Sequence, residues 1–158
     1  MRRGTALLGT LVMALGALAL PLGAATAVTG GQALVVIVHP SRTDALGAQD
    51  LARIYLRTRR FWDDGSPIVP LNREPGSTER EAFSVRVFAA ESAYLAGYWN
   101  AQYFHGVFPP TVLASSAAVK RYVATDRNAI GYIDASEVDL SVRVLLTLES
   151  GEPAEPPR

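Results

Sequence analysis

Apolar positions change rhythm repeatedly along this chain, and the changes predict strand and helix in turn. Ala33-Leu-Val-Val-Ile-Val38 is an unbroken aliphatic run closed by His39-Pro40, the pattern of a strand covered on both faces. After a polar loop at 41–44, Leu51, Ile54 and Tyr55 fall at i, i+3 and i+4, one face of a helix capped by Gly47. Ile68, Val69 and Leu71 make a second short strand, and Glu74-Pro75-Gly76 is a turn signal. From an N-cap at Ser77, a helix carries Ala82, Phe83 and Val87 inward, with Glu79, Arg80 and Arg86 outward. A helix over 91–104 sets Leu95, Tyr98 and Trp99 on one face and ends at Gly106, Pro109 and Pro110. Ser115 or Ser116 caps the next helix, striped by Ala118, Val119, Tyr122 and Val123. Ala129-Ile-Gly-Tyr-Ile133 is a strand, and Val142, Val144, Leu146 and Leu148 alternate with polar positions as a half-exposed strand does. This interleaving predicts an α/β fold, a mixed sheet with helices on both faces.

The opening of the chain follows neither rhythm. Arg2-Arg3 precedes an uncharged apolar stretch over 5–22, and Ala25-Thr26-Ala27 supplies small residues for cleavage. Residues 1–27 are therefore expected to be a signal peptide, with a mature start at Val28. An uncleaved anchor is the alternative, because the stretch is just long enough to span a bilayer. Pro21, the Gly and Ala content and the Ala-x-Ala site favour cleavage, so no stable membrane anchor is expected afterwards. The expected domain occupies 28–148, and 149–158, rich in Pro and Glu, is expected to be a disordered tail. The 158-residue chain carries 15 basic and 15 acidic side chains, so losing Arg2 and Arg3 leaves 13 against 15. That balance excludes a nucleic-acid surface built on excess positive charge. No cysteine is present, so neither a disulfide framework nor lipid attachment at a processed N-terminus is available. A periplasmic location fits these features.

Candidate chemistry concentrates at Val69-Pro-Leu-Asn-Arg-Glu-Pro-Gly-Ser-Thr-Glu-Arg-Glu-Ala-Phe83. A helix start exposes unpaired N–H groups and the positive end of aligned peptide dipoles, which suits a phosphate-like ligand. Ser77 and Thr78 could add hydroxyl donors, and Arg73 and Arg80 forked charged ones. The plainer reading is that Ser77 only caps the helix. Elsewhere, His39 and His105 lack metal-ligand spacing, so no metal or other cofactor is expected. Asp63-Asp64 belong to a Trp-Asp-Asp-Gly turn. No nucleophile elbow, paired carboxylates or nucleotide loop occurs, so no enzyme is expected. Arg57, Arg59 and Arg60 either steer anions or form a solvated loop. Tyr132 either lines a ligand groove or packs in the core.

The series Leu51-Ala-Arg-Ile-Tyr-Leu56, Trp62-Asp-Asp-Gly65, Ile68-Val-Pro-Leu71, Gly76-Ser-Thr78, Glu81-Ala-Phe83, Tyr98-Trp99 and Ala129-Ile-Gly-Tyr132 resembles the phosphate-binding proteins of phosphate ABC transporters. More closely, it resembles their small single-lobe relatives in Gram-negative bacteria. The resemblance covers residues 33–146 and implies a single three-layer lobe of the type II periplasmic-binding-protein fold. In the full-length receptors, phosphate sits between two lobes, against a Ser-Gly-Thr turn at a helix start, with an Arg adding charge. Carried over, the turn corresponds to Gly76, Ser77 and Thr78, and the Arg to Arg73. The glycine between Ser and Thr is missing here, and the opposite lobe has no counterpart. Closure around a ligand within one copy is then impossible, and weak binding is expected unless a second subunit completes the site. The implied ligand is inorganic phosphate or a similar oxyanion, held by Gly76, Ser77, Thr78, Arg73 and Arg80, with an ABC permease as a partner. The rival is a protein-interaction module or homodimer built on the face that a second lobe would otherwise cover.

Overall fold

The computed structural model describes residues 33–149. The signal peptide expected over 1–27, and the tail beyond Glu149, lie outside the described residues. Strand β1 (Leu34–Val38) is buried along its whole length, as its unbroken aliphatic run requires. It lies antiparallel between β4 (Ala129–Asp134) and β5 (Arg143–Leu148). Beyond β4, β2 (Val69–Arg73) and β3 (Thr111–Leu113) pair in parallel, giving the order β3-β2-β4-β1-β5.

The two-residue period of the strands divides the interior into two layers. Leu34, Val36, Val38, Ile130 and Tyr132 pack against α1 (Ala48–Tyr55) and α2 (Thr78–Phe88) through Leu51, Ile54, Tyr55, Phe83 and Val87. On the other face, Val35, Ile37, Leu71 and Ile133 meet Val119 and Val123 of α4 (Ser116–Thr125). This is the three-layer lobe the sequence implies, with Gly47 and Ser77 at the two helix starts where they were expected.

Four local details depart from the sequence expectation. The helix expected over 91–104 begins as a 3-10 turn at Ser92–Tyr94 and becomes α3 (Leu95–Tyr103), which has no fully buried residue. Its main anchor is a polar one, with Tyr98 Oη donating to the Leu56 carbonyl at 2.7 Å. Strand β3 was not anticipated, being only three residues long and preceded by Pro109-Pro110. In β5, a bulge between the partners of Val36 and Ile37 interrupts the alternation. An extra residue reverses which face later side chains take. Val142 therefore joins the α4 layer, Leu148 joins the α1–α2 layer, and Val144 is left exposed.

The fourth departure is Arg42, placed by its sequence in a polar loop but only 2% exposed. Its Nε donates to the Arg127 carbonyl at 2.8 Å, and its two terminal nitrogens reach Asp64, Asp44, Ser66 and Asn128. All five donors of the guanidinium are thus used, and its carbon lies 4.5 Å from the Trp62 ring centre. The Ser66 hydroxyl and amide, followed by Arg42 and Arg127, hold Asp64 down at about 2. This clasp ties the loops at the start of β2 and β4 to the exit of β1.

Gly131 is where the sheet comes closest to α4. A Cβ built there would lie 2.4 Å from Val119 Cγ1, and a fully buried β-branched side chain has little room to rotate away. Gly131→Ala is expected to destabilise the fold by about 1–3 kcal/mol through overpacking, measurable as a lower urea midpoint with an unchanged slope.

Candidate functional site

Strands β2 and β3 run side by side in the same direction, so the chain leaves both at one edge of the sheet and enters a helix each time. After β2, the Ser77 amide donates to the Glu74 carbonyl at 3.2 Å. Gly76 turns the chain at φ +81°, a conformation that costs a residue with a Cβ but not glycine. Ser77 Oγ then accepts from the Arg80 amide at 3.3 Å and caps α2. After β3, Ser115 Oγ accepts from the Ala118 amide at 3.1 Å and caps α4. Two helix starts, each with the positive end of its dipole, therefore open at neighbouring strand ends.

Arg73, the last residue of β2, lies between them and is 8% exposed. Its Nη1 donates to Ser116 Oγ at 2.6 Å and stands 3.3 Å from Glu79 Oε1. Its Nε is buried and has no partner among the described residues. Arg80 Nη1 donates to the Arg73 carbonyl at 2.9 Å. Arg80 is therefore half-buried and folded back on the strand end, not directed outward as its helical position suggested. The carbonyl explains the difference, since a strand end that leaves the sheet needs a donor from elsewhere.

An aromatic column fixes this corner from behind. Tyr132 hydrogen-bonds through its hydroxyl to the Asn72 side-chain oxygen, and the same hydroxyl accepts from the Arg73 amide at 3.1 Å. Its ring stacks on Phe83 at 4.1 Å with 9° between planes, and Tyr55 lies 4.5 Å from Phe83 on a tilt. Burial pushes the Tyr132 hydroxyl up to about 12, opposed by the hydrogen bond from the Arg73 amide. Tyr55 is pushed up as well by burial, and its hydroxyl donates to the Leu71 carbonyl at 3.1 Å. Tyr132 therefore belongs to the core and positions β2; it does not line a groove.

The five residues singled out in the sequence divide by role. Arg73, Ser77 and Arg80 meet directly through the contacts above. Thr78 stands exposed in the first turn of α2, its amide and hydroxyl without a partner among the described residues. Gly76 shapes the turn, and its amide is turned toward Glu81. The Glu81 carboxyl is held below its ordinary value by the Ser92 hydroxyl and amide, with a smaller pull from Gly76. Sequence reasoning missed Ser116 and Glu79 as neighbours of Arg73. Both helix caps were legible, but their convergence depends on β3.

The comparisons with known proteins agree with this fold. A family model described as a PBP superfamily domain matches residues 23–148. The chain belongs to the PBP superfamily. Its fold is similar to that of an ABC-type phosphate transport receptor from Vibrio cholerae, at 21% identity and a TM-score of 0.59. It is similar also to a putative phosphate ABC transporter substrate-binding protein with bound phosphate from Clostridium perfringens, at 27% identity and a TM-score of 0.60. Each match covers 72% of this PBP-superfamily chain but 45% and 44% of the respective receptors. The chain thus spans less than half the length of the receptors it matches. No curated protein matches it.

The Tyr132 hydroxyl and the Asn72 side-chain oxygen, themselves hydrogen-bonded, share the Arg73 amide at 3.1 and 3.0 Å. Tyr132→Phe is expected to cost about 0.5–1.5 kcal/mol, because it removes the hydroxyl's bonds to Asn72 and to the Arg73 amide while that amide keeps Asn72 Oδ1 at 3.0 Å. Urea denaturation followed by circular dichroism measures the loss.

Proposed function

We propose that this chain is an exported single-lobe receptor for a small oxyanion, phosphate in the first instance, with an ABC permease as its recipient partner. The observation that carries this reading is the Arg73 guanidinium, buried between two helix starts at the ends of parallel strands. Ligands of open α/β sheets gather at such strand ends. The donors would be the Arg73 and Arg80 side chains, the Ser77 and Thr78 hydroxyls and the free amide of Thr78, with Gly76 setting the turn. The protein would bind without catalysing a reaction. The matched receptors, a phosphate transport receptor and a substrate-binding protein with bound phosphate, support phosphate as the first anion to test. Export through residues 1–27, a folded domain over 28–148 and a periplasmic location are part of the same proposal.

Glu79 sets the affinity. Its carboxylate stands 3.3 Å from Arg73 Nη1, and an arriving anion has to displace it. One lobe also supplies only one side of a ligand shell. Calorimetry with inorganic phosphate should therefore show weak binding, lost when Ser77→Ala and Thr78→Ala are combined. Glu79→Gln should strengthen it roughly three- to tenfold by freeing Arg73. Absence of heat with millimolar phosphate or sulfate, in both wild type and Glu79→Gln, would sink the proposal.

A second reading rests on a separate observation. No Asp, Glu, Lys or Arg occurs over 92–119, and this run carries exposed Tyr94, Tyr103 and Phe104, the last 86% accessible. Large aromatic side chains gathered on an uncharged surface mark an association face. On this reading the lobe pairs with a second copy or another protein. Sedimentation velocity distinguishes the two: a dimer dispersed by Tyr103→Ser with Phe104→Ser supports association, and a monomer at every concentration excludes self-association.

A further inference from the structure

The three arginines that follow α1 do not behave alike. Arg59 is engaged by Asp50 at 2.9 Å and by Asp63 at 2.7 Å. Arg57 and Arg60 have no carboxylate within ion-pair distance among the described residues, and both line a cavity of about 240 Å³. Its lining also includes the apolar side chains of Val107, Phe108, Pro109 and Pro110. The cavity lies against Ile68, Val69 and Pro70, at the opening end of β2. Arg73 closes that strand four residues on, roughly 13 Å away, so this cavity is separate from the corner described above.

The Arg57 side chain is held at the cavity, and the backbone that carries Arg60 is fixed beside it. Arg57 sits at φ +61° just after α1, a helix-end position that normally takes glycine because a Cβ is strained there. Its Nη1 donates to the Ile68 carbonyl at 3.1 Å, which pins the guanidinium at the wall and leaves its other donors unused. Arg60 is exposed and its carbonyl accepts from the Ile68 amide at 2.8 Å, which fixes the backbone from which its side chain reaches the same cavity. Partial burial, and then the charge of Arg60, pull Arg57 below its ordinary value, as expected of like charges brought together without a counterion. Phe108, which lines the same cavity, is 61% exposed.

We infer that this cavity binds a small organic acid, a carboxylate joined to a flat apolar body. The carboxylate would be received by the unused donors of Arg57 and Arg60, whose forked geometry suits two parallel hydrogen bonds. The apolar body would lie against Phe108 and the Pro109-Pro110 wall. An inorganic anion satisfies only the first half of this surface. The acid could be a free aryl carboxylate or the terminal carboxylate of a peptide ending in an aromatic residue.

The test is an amide-resolved NMR titration of the protein with benzoate, with a short peptide ending in phenylalanine, with that peptide as its terminal amide, and with inorganic phosphate. Benzoate or the free-acid peptide should shift the amides of Arg57, Arg60, Gly106 and Phe108. The tighter of the two identifies the source of the carboxylate. Arg60→Ala should weaken the effect about tenfold or more, as the loss of a charge-assisted hydrogen bond predicts. Arg57→Gly should weaken it equally while raising the melting temperature, because glycine relieves the strained φ; this separates lost binding from lost folding. Arg73→Gln should leave it unchanged. The inference is overturned if neither acid shifts these amides at about 20 mM, far above any specific affinity. It is overturned equally if the shifts survive both arginine variants, vanish with Arg73→Gln, or are matched by phosphate or by the peptide amide.

Discussion

Burying a guanidinium is tolerable only when its donors are answered, since a desolvated charge without partners costs several kcal/mol. Among the described residues two arginines are buried, Arg42 and Arg73, and the contrast between them organises the molecule. Around Arg42 every donor is used, by two carboxylates, a hydroxyl, a carboxamide and a carbonyl, with an indole ring over the group. Nothing is left over, and the group serves to join loops. Around Arg73 the answer is incomplete: a hydroxyl, one carboxylate oxygen at 3.3 Å, a distant carbonyl and a buried Nε with no partner among the described residues. A charge held short of its partners is a poor fastener and a ready receiver. The Arg42 clasp and the Tyr132–Phe83 stack supply the rigidity that keeps Arg73 in that condition.

The legible parts of the fold were those in which one local pattern decides the outcome. The aliphatic run at 34–38 has no other stable place than the middle of a sheet, and Ser77 followed by Thr78, Glu79 and Arg80 starts a helix by its own hydrogen bonding. The illegible parts were those in which distant segments decide. Arg42 has the local sequence of a polar loop; its burial follows from Asp64, Ser66 and Asn128 arriving from elsewhere. Strand β3 exists because β2 offers it an edge, since three residues have little preference of their own. The bulge in β5 is a matter of register with β1 and left the outer alternation misleading at Val144. At the site, the caps were evident, but Glu79 facing Arg73 was not, because helical position alone pointed that carboxylate to solvent.

Strand β2 gives the lobe two chemically different ends. At its exit stand the starts of α2 and α4 and the Arg73 guanidinium. At its entrance, Arg57 and Arg60 line one cavity together with Phe108, Pro109 and Pro110. The strand between them is tied to the core by the Tyr55 hydroxyl at Leu71 and the Tyr132 hydroxyl at Arg73. Changes at one end therefore have a stiff element through which to be felt at the other.

The margins of the sheet carry a last consequence. One margin is β3, three residues long and introduced by two prolines that have no N–H to offer; the other is β5, kinked by its bulge. Short or bent margins give an extended neighbour little to copy. Two lobes that meet must therefore do so through side chains, so whatever joins them can be undone by point substitution without unravelling either sheet.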